Sequence, residues 1–159
     1  LRTVEKYDLD FVKNLSQDPK TSDYLGTFCF LSYTSQKKWF NSLQNDRSKQ
    51  FLLFEKKENE SWQKIGMVRL SEIDFINRSI CVGGDISPEH RGNGYAKVMY
   101  DLIFDLCFNK YNMHRVWLLV LDYNETALSL YKKLGFIQEG VQRQAIYRDG
   151  KYHEYESKS

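Results

Sequence analysis

The chain has 159 residues, 42% of them hydrophobic and 28% charged, and its 23 basic and 21 acidic side chains leave a formal net charge of only +2. That length suits one domain with a substantial core, and so small a charge, with both signs interspersed, gives no argument for nucleic acid as a partner. The longest apolar run, residues 116–121, falls far short of the ~20 residues that a membrane-spanning helix needs, and residues 1–12 hold no apolar signal-peptide core, so a cytoplasmic protein away from membranes is expected.

Leu9, Val12 and Leu15 recur at helical spacing, and Asp18-Pro19 stops that helix, since proline disfavours helical backbone in the residue before it. A second helix is expected to open near Ser35 and to bury Trp39, Phe40 and Leu43. Residues 50–55 read as a strand, the charged run 56–60 as a solvated hairpin turn, and residues 65–70 as a second strand. Residues 80–86 form a third, with Asn77-Arg78 as the turn between. After Pro88 the pattern changes: Ala96, Met99, Leu102, Ile103 and Leu106 mark one face of a helix. Residues 116–121 have the continuous apolar character of a strand covered on both faces. Asn124 can cap the next helix, whose face carries Ala127, Leu130, Tyr131 and Leu134, and Gly135 suits a left-handed C-terminal position. Asp149-Gly150 reads as a tight turn between two final strands. A meander followed by strand–helix–strand–helix–strand implies a mixed α/β sheet with helices on both faces. Cys29, Cys81 and Cys107 have neither metal-like nor redox spacing and read as small core residues.

Residues 88–96 stand between a strand and a helix. Gly92 and Gly94 let the backbone turn tightly and bring N–H groups close to a ligand, and the positive end of the following helix points at the same spot. Arg91 adds charge at the mouth, and the small Ala96 lets a ligand lie near the helix end. A P-loop would need Gly-x-x-x-x-Gly-Lys-Ser/Thr, which is absent, and a dinucleotide fingerprint would need glycine where Lys97 stands. The glycines alone leave two readings open, a phosphate cradle and a plain strand-to-helix turn. His90 beside them reads as a surface histidine, and His114 and His153 have no companions suggesting a metal or a triad.

Arg91-Gly92-Asn93-Gly94-Tyr95-Ala96 resembles the Gln/Arg-x-x-Gly-x-Gly/Ala signature of the GNAT N-acetyltransferase family. Asn124-Glu125-Thr126-Ala127 through Tyr131 to Gly135-Phe136 resembles that family's second motif, Asn-x-x-Ala-x-x-x-Tyr-x-x-x-Gly-Phe. The tail from Glu139-Gly140 through Tyr147-Arg148-Asp149-Gly150-Lys151-Tyr152-His153 is similar to the branch holding ribosomal-protein alanine, spermidine and some amino-sugar acetyltransferases. The resemblance implies one GNAT domain over residues 1–159, α/β (α+β) in class, with a mixed central sheet of about six to seven strands. It implies acetyl-coenzyme A as co-substrate, bound by the backbone around Gly84 and Ile86, by Arg91, Gly92, Asn93, Gly94, Tyr95 and Ala96, and by Asn124, Ala127 and Tyr131. No metal is implied, and a homodimer is common in such a family.

Acetyl transfer from a thioester to an amine calls for loss of an amine proton, stabilisation of the oxyanion and a proton for the departing thiolate. Tyr131 matches the family tyrosine facing the coenzyme sulfur, and a phenol protonated at neutral pH suits an acid; helical periodicity by itself reads it as a core aromatic. Gly83 and Gly84 permit a bulge and close approach of a ligand, or simply weaken the strand. Asp85 either points into the acceptor cleft or caps such a bulge. Glu72, Asp74 and Asp85 are the candidate bases. Tyr24, Phe28, Phe30, Tyr33 and Trp39 supply aromatic surface for an acceptor wall. That surface favours an amino sugar or a protein N-terminus over a polyamine, which would need clustered carboxylates. The alternatives are a catalytically idle acyl-coenzyme A-binding module and a nucleotide-binding protein using the same loop.

Overall fold

The computed structural model describes residues 1–25, 31–43 and 45–159; Phe28, Cys29 and Phe30 lie outside them. In chain order come β1 (Arg2–Thr3), a 3-10 turn (Lys6–Asp8), α1 (Leu9–Gln17), α2 (Pro19–Ser22), α3 (Tyr33–Leu43), β2 (Gln50–Glu58), β3 (Ser61–Asp74) and β4 (Ser79–Ile86). A second 3-10 turn (Pro88–His90) leads to α4 (Tyr95–Phe104), continued as a π-helical stretch (Asp105–Lys110), then β5 (Arg115–Leu121), α5 (Glu125–Lys133), β6 (Gln138–Arg148) and β7 (Lys151–Lys158).

The strands form one mixed seven-stranded sheet in the order β1-β2-β3-β4-β5-β7-β6. β4 and β5 are its parallel pair, joined through α4 because parallel neighbours need a long crossover. Their pairing covers Ser79–Cys81 against Arg115–Trp117, and from Leu118 onward β5 pairs with β7 instead. The two central strands therefore start side by side and part toward their C-terminal ends.

Strand alternation feeds two cores, one on each face. On one face Leu52, Phe54, Val68, Leu70, Ile80, Val82, Leu118 and Val120 pack against Met99, Tyr100 and Ile103 of α4 and Tyr131 of α5. On the other, Leu53 and Met67 meet Val12 and Leu15 of α1 and Trp39 and Phe40 of α3. Each such fully buried side chain contributes about 1.5–3 kcal/mol.

The expected mixed sheet with helices on both faces is what the chain adopts, with some elements drawn differently. The 56–60 run is not all turn: β2 continues to Glu58, and Asn59-Glu60, both at positive φ (44° and 67°), make a two-residue hairpin turn. The core stripe of α4 includes Tyr100 and leaves Leu102 41% exposed, because the helix turns Met99, Tyr100, Ile103 and Cys107 inward. No bulge occurs at Gly83-Gly84; those residues pair regularly with Arg69 and Val68, and the irregularity falls between Ser71 and Asp74, where Glu72 has φ 49°. β5 is covered unevenly, with Val116, Leu118 and Val120 buried and Trp117 and Leu119 half-buried. Asp149 and Gly150, at φ 48° and 83°, make the turn expected between β6 and β7. Cys107 is buried and its thiol is pushed up to about 11 by that burial; Cys81 is half-buried.

Candidate active site

The glycine loop is pinned from below. Ser87 donates its N–H (2.9 Å) and its hydroxyl (3.2 Å) to the Ile65 carbonyl of β3, and the hydroxyl shares a 2.9 Å hydrogen bond with His90 Nδ1. His90 is consequently only 9% exposed, not the surface histidine expected, because Ser87 gives its ring a partner beneath the loop. Gly92 and Gly94 sit at φ +77° and +78°, a region that other residues enter only with strain. Between them Asn93 stiffens the loop, its Nδ2 donating to the carbonyls of His90 (3.2 Å) and Arg91 (3.0 Å).

α4 begins without a side-chain cap. Lys97 N–H bonds the Gly94 carbonyl at 3.1 Å, whereas the N–H groups of Gly92, Asn93, Gly94, Tyr95 and Ala96 have no acceptor among the described residues. A run of orphan donors at the positive end of a helix, with nothing within 4 Å of where a Cβ on either glycine would stand, is a cradle that fits a pyrophosphate.

Arg91 turns its guanidinium toward the chain itself. Nε donates to the Ile86 carbonyl (2.9 Å), Nη1 to the Lys20 carbonyl (3.0 Å) and Nη2 to Thr21 Oγ1 (2.7 Å). Two further ties hold the same segment: the Tyr123 hydroxyl donates to the Asp23 carbonyl (2.7 Å) and Arg148 to the Leu25 carbonyl (2.6 Å). Residues 20–25 thus form a strap over the end of the sheet where β4 and β5 part. Beside it lies a hollow of about 470 Å3 lined by Asp23, Tyr24, Tyr123, Tyr147, Arg148 and Asp149.

A larger hollow, about 750 Å3, lies at the opposite end, where β4 and β5 begin, and Glu72, Asp74, Ser79, Arg115 and Trp117 line it. Glu72 is therefore separated from Asp85. It lies in the irregularity of β3 next to Ser71, whose partner Cys81 is four residues along β4 from Asp85, or about 13 Å at ~3.3 Å per residue. Asp74 is committed to its turn, accepting from the N–H groups of Ile76 (2.9 Å) and Asn77 (2.8 Å).

Asp85 shares a sheet face with Arg69, and the two form a close ion pair. Burial works against the Arg69 charge, but Asp85 more than offsets it and holds the guanidinium above its ordinary value. Gly83 makes room for that guanidinium, since a Cβ there would lie 3.2 Å from Arg69 Nη2. Tyr131, 8% exposed, lies on α5 where both charges reach it. Burial raises its hydroxyl above the ordinary phenol range, a hydrogen bond from Tyr100 (3.1 Å) draws it back part of the way, and Asp85 and Arg69 pull in opposite directions. Arg69 and Tyr100 were absent from the sequence reading. A lone charge in the otherwise apolar stretch 65–70 was the available signal for Arg69; Tyr100 had none beyond its place on the helix.

Both ends of α5 form as expected. Asn124 caps α5, its side-chain oxygen accepting from Ala127 N–H at 3.2 Å. Gly135 (φ +92°) ends the helix, with Gly135 N–H bonded to the Lys132 carbonyl and Phe136 N–H to that of Tyr131. Ile86 is buried, and Tyr95, Ala96 and Ala127 are half-buried beside the main core. Gly84 faces α4, with Met99 against it. Among the described residues no helix is long and apolar enough to cross a membrane.

Residues 1–137 match the family model described as an acetyltransferase (GNAT) domain. The chain is 29% identical over 155 residues to spermidine N(1)-acetyltransferase of Vibrio cholerae, covering 97% of this chain and 87% of that protein. A crystal structure of spermidine N-acetyltransferase from the same organism, in complex with coenzyme A and spermine, superposes with a TM-score of 0.92 at 28% identity, over 99% of this chain and 91% of the other. A dodecameric structure of that enzyme gives 0.83 at 27% identity, covering 99% and 90%.

Proposed function

The chain belongs to the GNAT acetyltransferase family, whose members take the acetyl group from acetyl-coenzyme A, and on that footing we propose that it acetylates a primary amine of a spermidine-class polyamine by direct transfer, with Tyr131 as general acid. The observation that carries the acceptor is the chemistry of the strap-side hollow. Asp23 and Asp149 bring carboxylates, and Tyr24, Tyr123 and Tyr147 bring ring faces, to the end of the sheet where the central strands part. Carboxylates and aromatic faces both attract alkylammonium groups. The names of the relatives support the same acceptor. The lean toward an amino sugar or a protein N-terminus rested on aromatic walls and on the lack of a carboxylate cluster in the order of residues, and it yields because Asp23 and Asp149 stand among those walls.

In this reading the backbone cradle at Gly92–Gly94 holds the pyrophosphate of acetyl-coenzyme A, and its arm enters where β4 and β5 part. Acetyl-coenzyme A supplies the activated acetyl group. Tyr131 gives its proton to the departing sulfur. Asp85, ion-paired to Arg69, suits orientation of an ammonium better than removal of its proton, so the amine's proton leaves to water. Glu72, at the far hollow, takes no part. The exposed edge strand β6 and the relative's dodecamer support self-assembly into a multimer, which sedimentation would measure.

Thiol release from acetyl-coenzyme A with spermidine, glucosamine and an alanine-terminated peptide tests the acceptor. Saturable turnover with spermidine is expected. Turnover with either of the others and none with spermidine would overturn the reading. Tyr131→Phe should lower kcat by ~10²-fold with coenzyme binding unchanged. Because a raised hydroxyl stays protonated further into the alkaline range, wild-type activity should persist above the ordinary phenol value of about 10 before falling. An unaltered rate in Tyr131→Phe removes that residue's role.

A further inference from the structure

Tyr100 is 1% exposed on α4, its ring set against Phe104, Tyr131 and Phe136 at centroid distances of 6.0, 5.5 and 6.3 Å. Its hydroxyl donates to Tyr131 Oη at 3.1 Å, and that oxygen is the acceptor it has among the described residues. A buried hydroxyl with one acceptor in reach keeps its hydrogen there, since an unsatisfied buried donor is costly. The direction of the bond constrains the partner. A phenol hydrogen prefers the plane of its ring, which gives two positions; with Tyr100's hydrogen bound on one side of Tyr131 Oη, the Tyr131 hydrogen is directed to the other.

We propose that Tyr100 is a positioning residue for acetyl transfer: the hydrogen bond it donates aims the Tyr131 proton away from the core toward the parting of β4 and β5, and steadies the Tyr131 oxygen once that proton has gone. This rests on the reading of Tyr131 as general acid. As the amine nitrogen bonds the acetyl carbon, the carbon–sulfur bond breaks and its electron pair goes to sulfur, which takes the Tyr131 proton. The amine's surplus proton goes to water, and a proton from water restores the phenol. In the interval Tyr131 is a phenolate, and the bond from Tyr100 becomes charge-assisted and stronger. Tyr100 therefore favours the transfer state over the resting state. The titratable groups make the same division. Burial and Tyr131 hold the Tyr100 hydroxyl well above the ordinary range, while Tyr100 pulls Tyr131 down. Asp85 and Cys81 of β4 and Arg69 of β3 also act on Tyr131, the first two raising it and Arg69 lowering it.

Tyr100→Phe, Tyr131→Phe and the double variant form the test, with polyamine turnover, calorimetric affinity for acetyl-coenzyme A and spectrophotometric tyrosine titration of the free protein. Tyr100→Phe should lower kcat by ~10-fold or more, the scale of a hydrogen bond to a charged group. KM and coenzyme affinity should hold, and the alkaline limb of kcat should move to higher pH. The titration assigned to Tyr131, by its loss in Tyr131→Phe, should move up with it. In the Tyr131→Phe background the second substitution should add nothing, because Tyr100 acts through Tyr131. An equal loss in both backgrounds, or an unshifted Tyr131 titration, overturns the proposal. If Tyr131→Phe itself turns over normally, the acid assignment fails, and the titration alone then decides whether Tyr100 governs the Tyr131 hydroxyl.

Discussion

Replacing Gly94 by alanine separates two costs that the glycine loop combines. Gly94 stands at φ +78° and Gly135, at the end of α5, at φ +92°, and a Cβ on either would meet nothing within 4 Å. Steric collision is thus absent at both, and what remains is left-handed backbone strain of about 1–2 kcal/mol each. For a chain of this length that lowers the melting temperature by roughly 2–8 °C, at ~2–4 °C per kcal/mol. Gly135→Ala is therefore a strain-matched control remote from the phosphate cradle. Acetyl-coenzyme A at about 100 times its Kd stabilises the wild type by about 2.7 kcal/mol. A Cβ facing the cradle that weakens binding tenfold leaves about 1.4 kcal/mol at the same concentration, halving the ligand-induced shift. Thermal denaturation with and without acetyl-coenzyme A reads both quantities. Gly94→Ala should lose stability and half or more of the ligand shift; Gly135→Ala should lose stability alone. Equal ligand shifts in the two variants would refute the placement of the pyrophosphate.

Two other glycines differ in what stands against them. A Cβ on Gly66 would come 2.5 Å from the Asp85 carbonyl, whereas one on Gly84 would come 2.3 Å from the mobile end of Met99. Gly66→Ala should cost about 1–3 kcal/mol and Gly84→Ala under about 1.5 kcal/mol, because backbone cannot swing aside as a thioether can; the reverse order in chemical denaturation refutes that geometry. Asp8 is buried and accepts from Arg2 (2.7 Å), Lys64 (3.0 Å) and Glu5 N–H (2.9 Å). Burial raises its pKa, but these partners together hold it below the ordinary carboxylate range. Its stabilisation is complete above the unfolded value of about 3.9 and is lost as pH falls through the lower folded value. Asp8→Asn should therefore cost about 1–3 kcal/mol at neutral pH, with the gap from wild type narrowing below about pH 4; a gap independent of pH in denaturation experiments contradicts the assignment.

What the amino-acid order determines here is local. The Gly92–Gly94 turn, the Asn124 cap and the Gly135 stop each depend on backbone preference or on partners three or four residues away, so residue type and spacing announce them. The same holds for the alternation that sets the meander and for the positive φ of the Asp149-Gly150 hairpin. The glycine pair in β4 was ambiguous because a missing side chain does not say what fills its space; Arg69 occupies one side and Met99 the other. His90 was misplaced because its exposure depends on Ser87 being pinned to Ile65, a contact across strands. Partnerships through space were beyond the sequence altogether. Strand register sets Arg69 opposite Gly83 and so diagonally within reach of Asp85, α4 brings Tyr100 beneath Tyr131 thirty-one positions away, and Arg91 reaches Thr21 across seventy. Each depends on how separate elements pack, and the hydrogen bond that orients the Tyr131 proton exists only once α4 and α5 lie on the same face of the sheet.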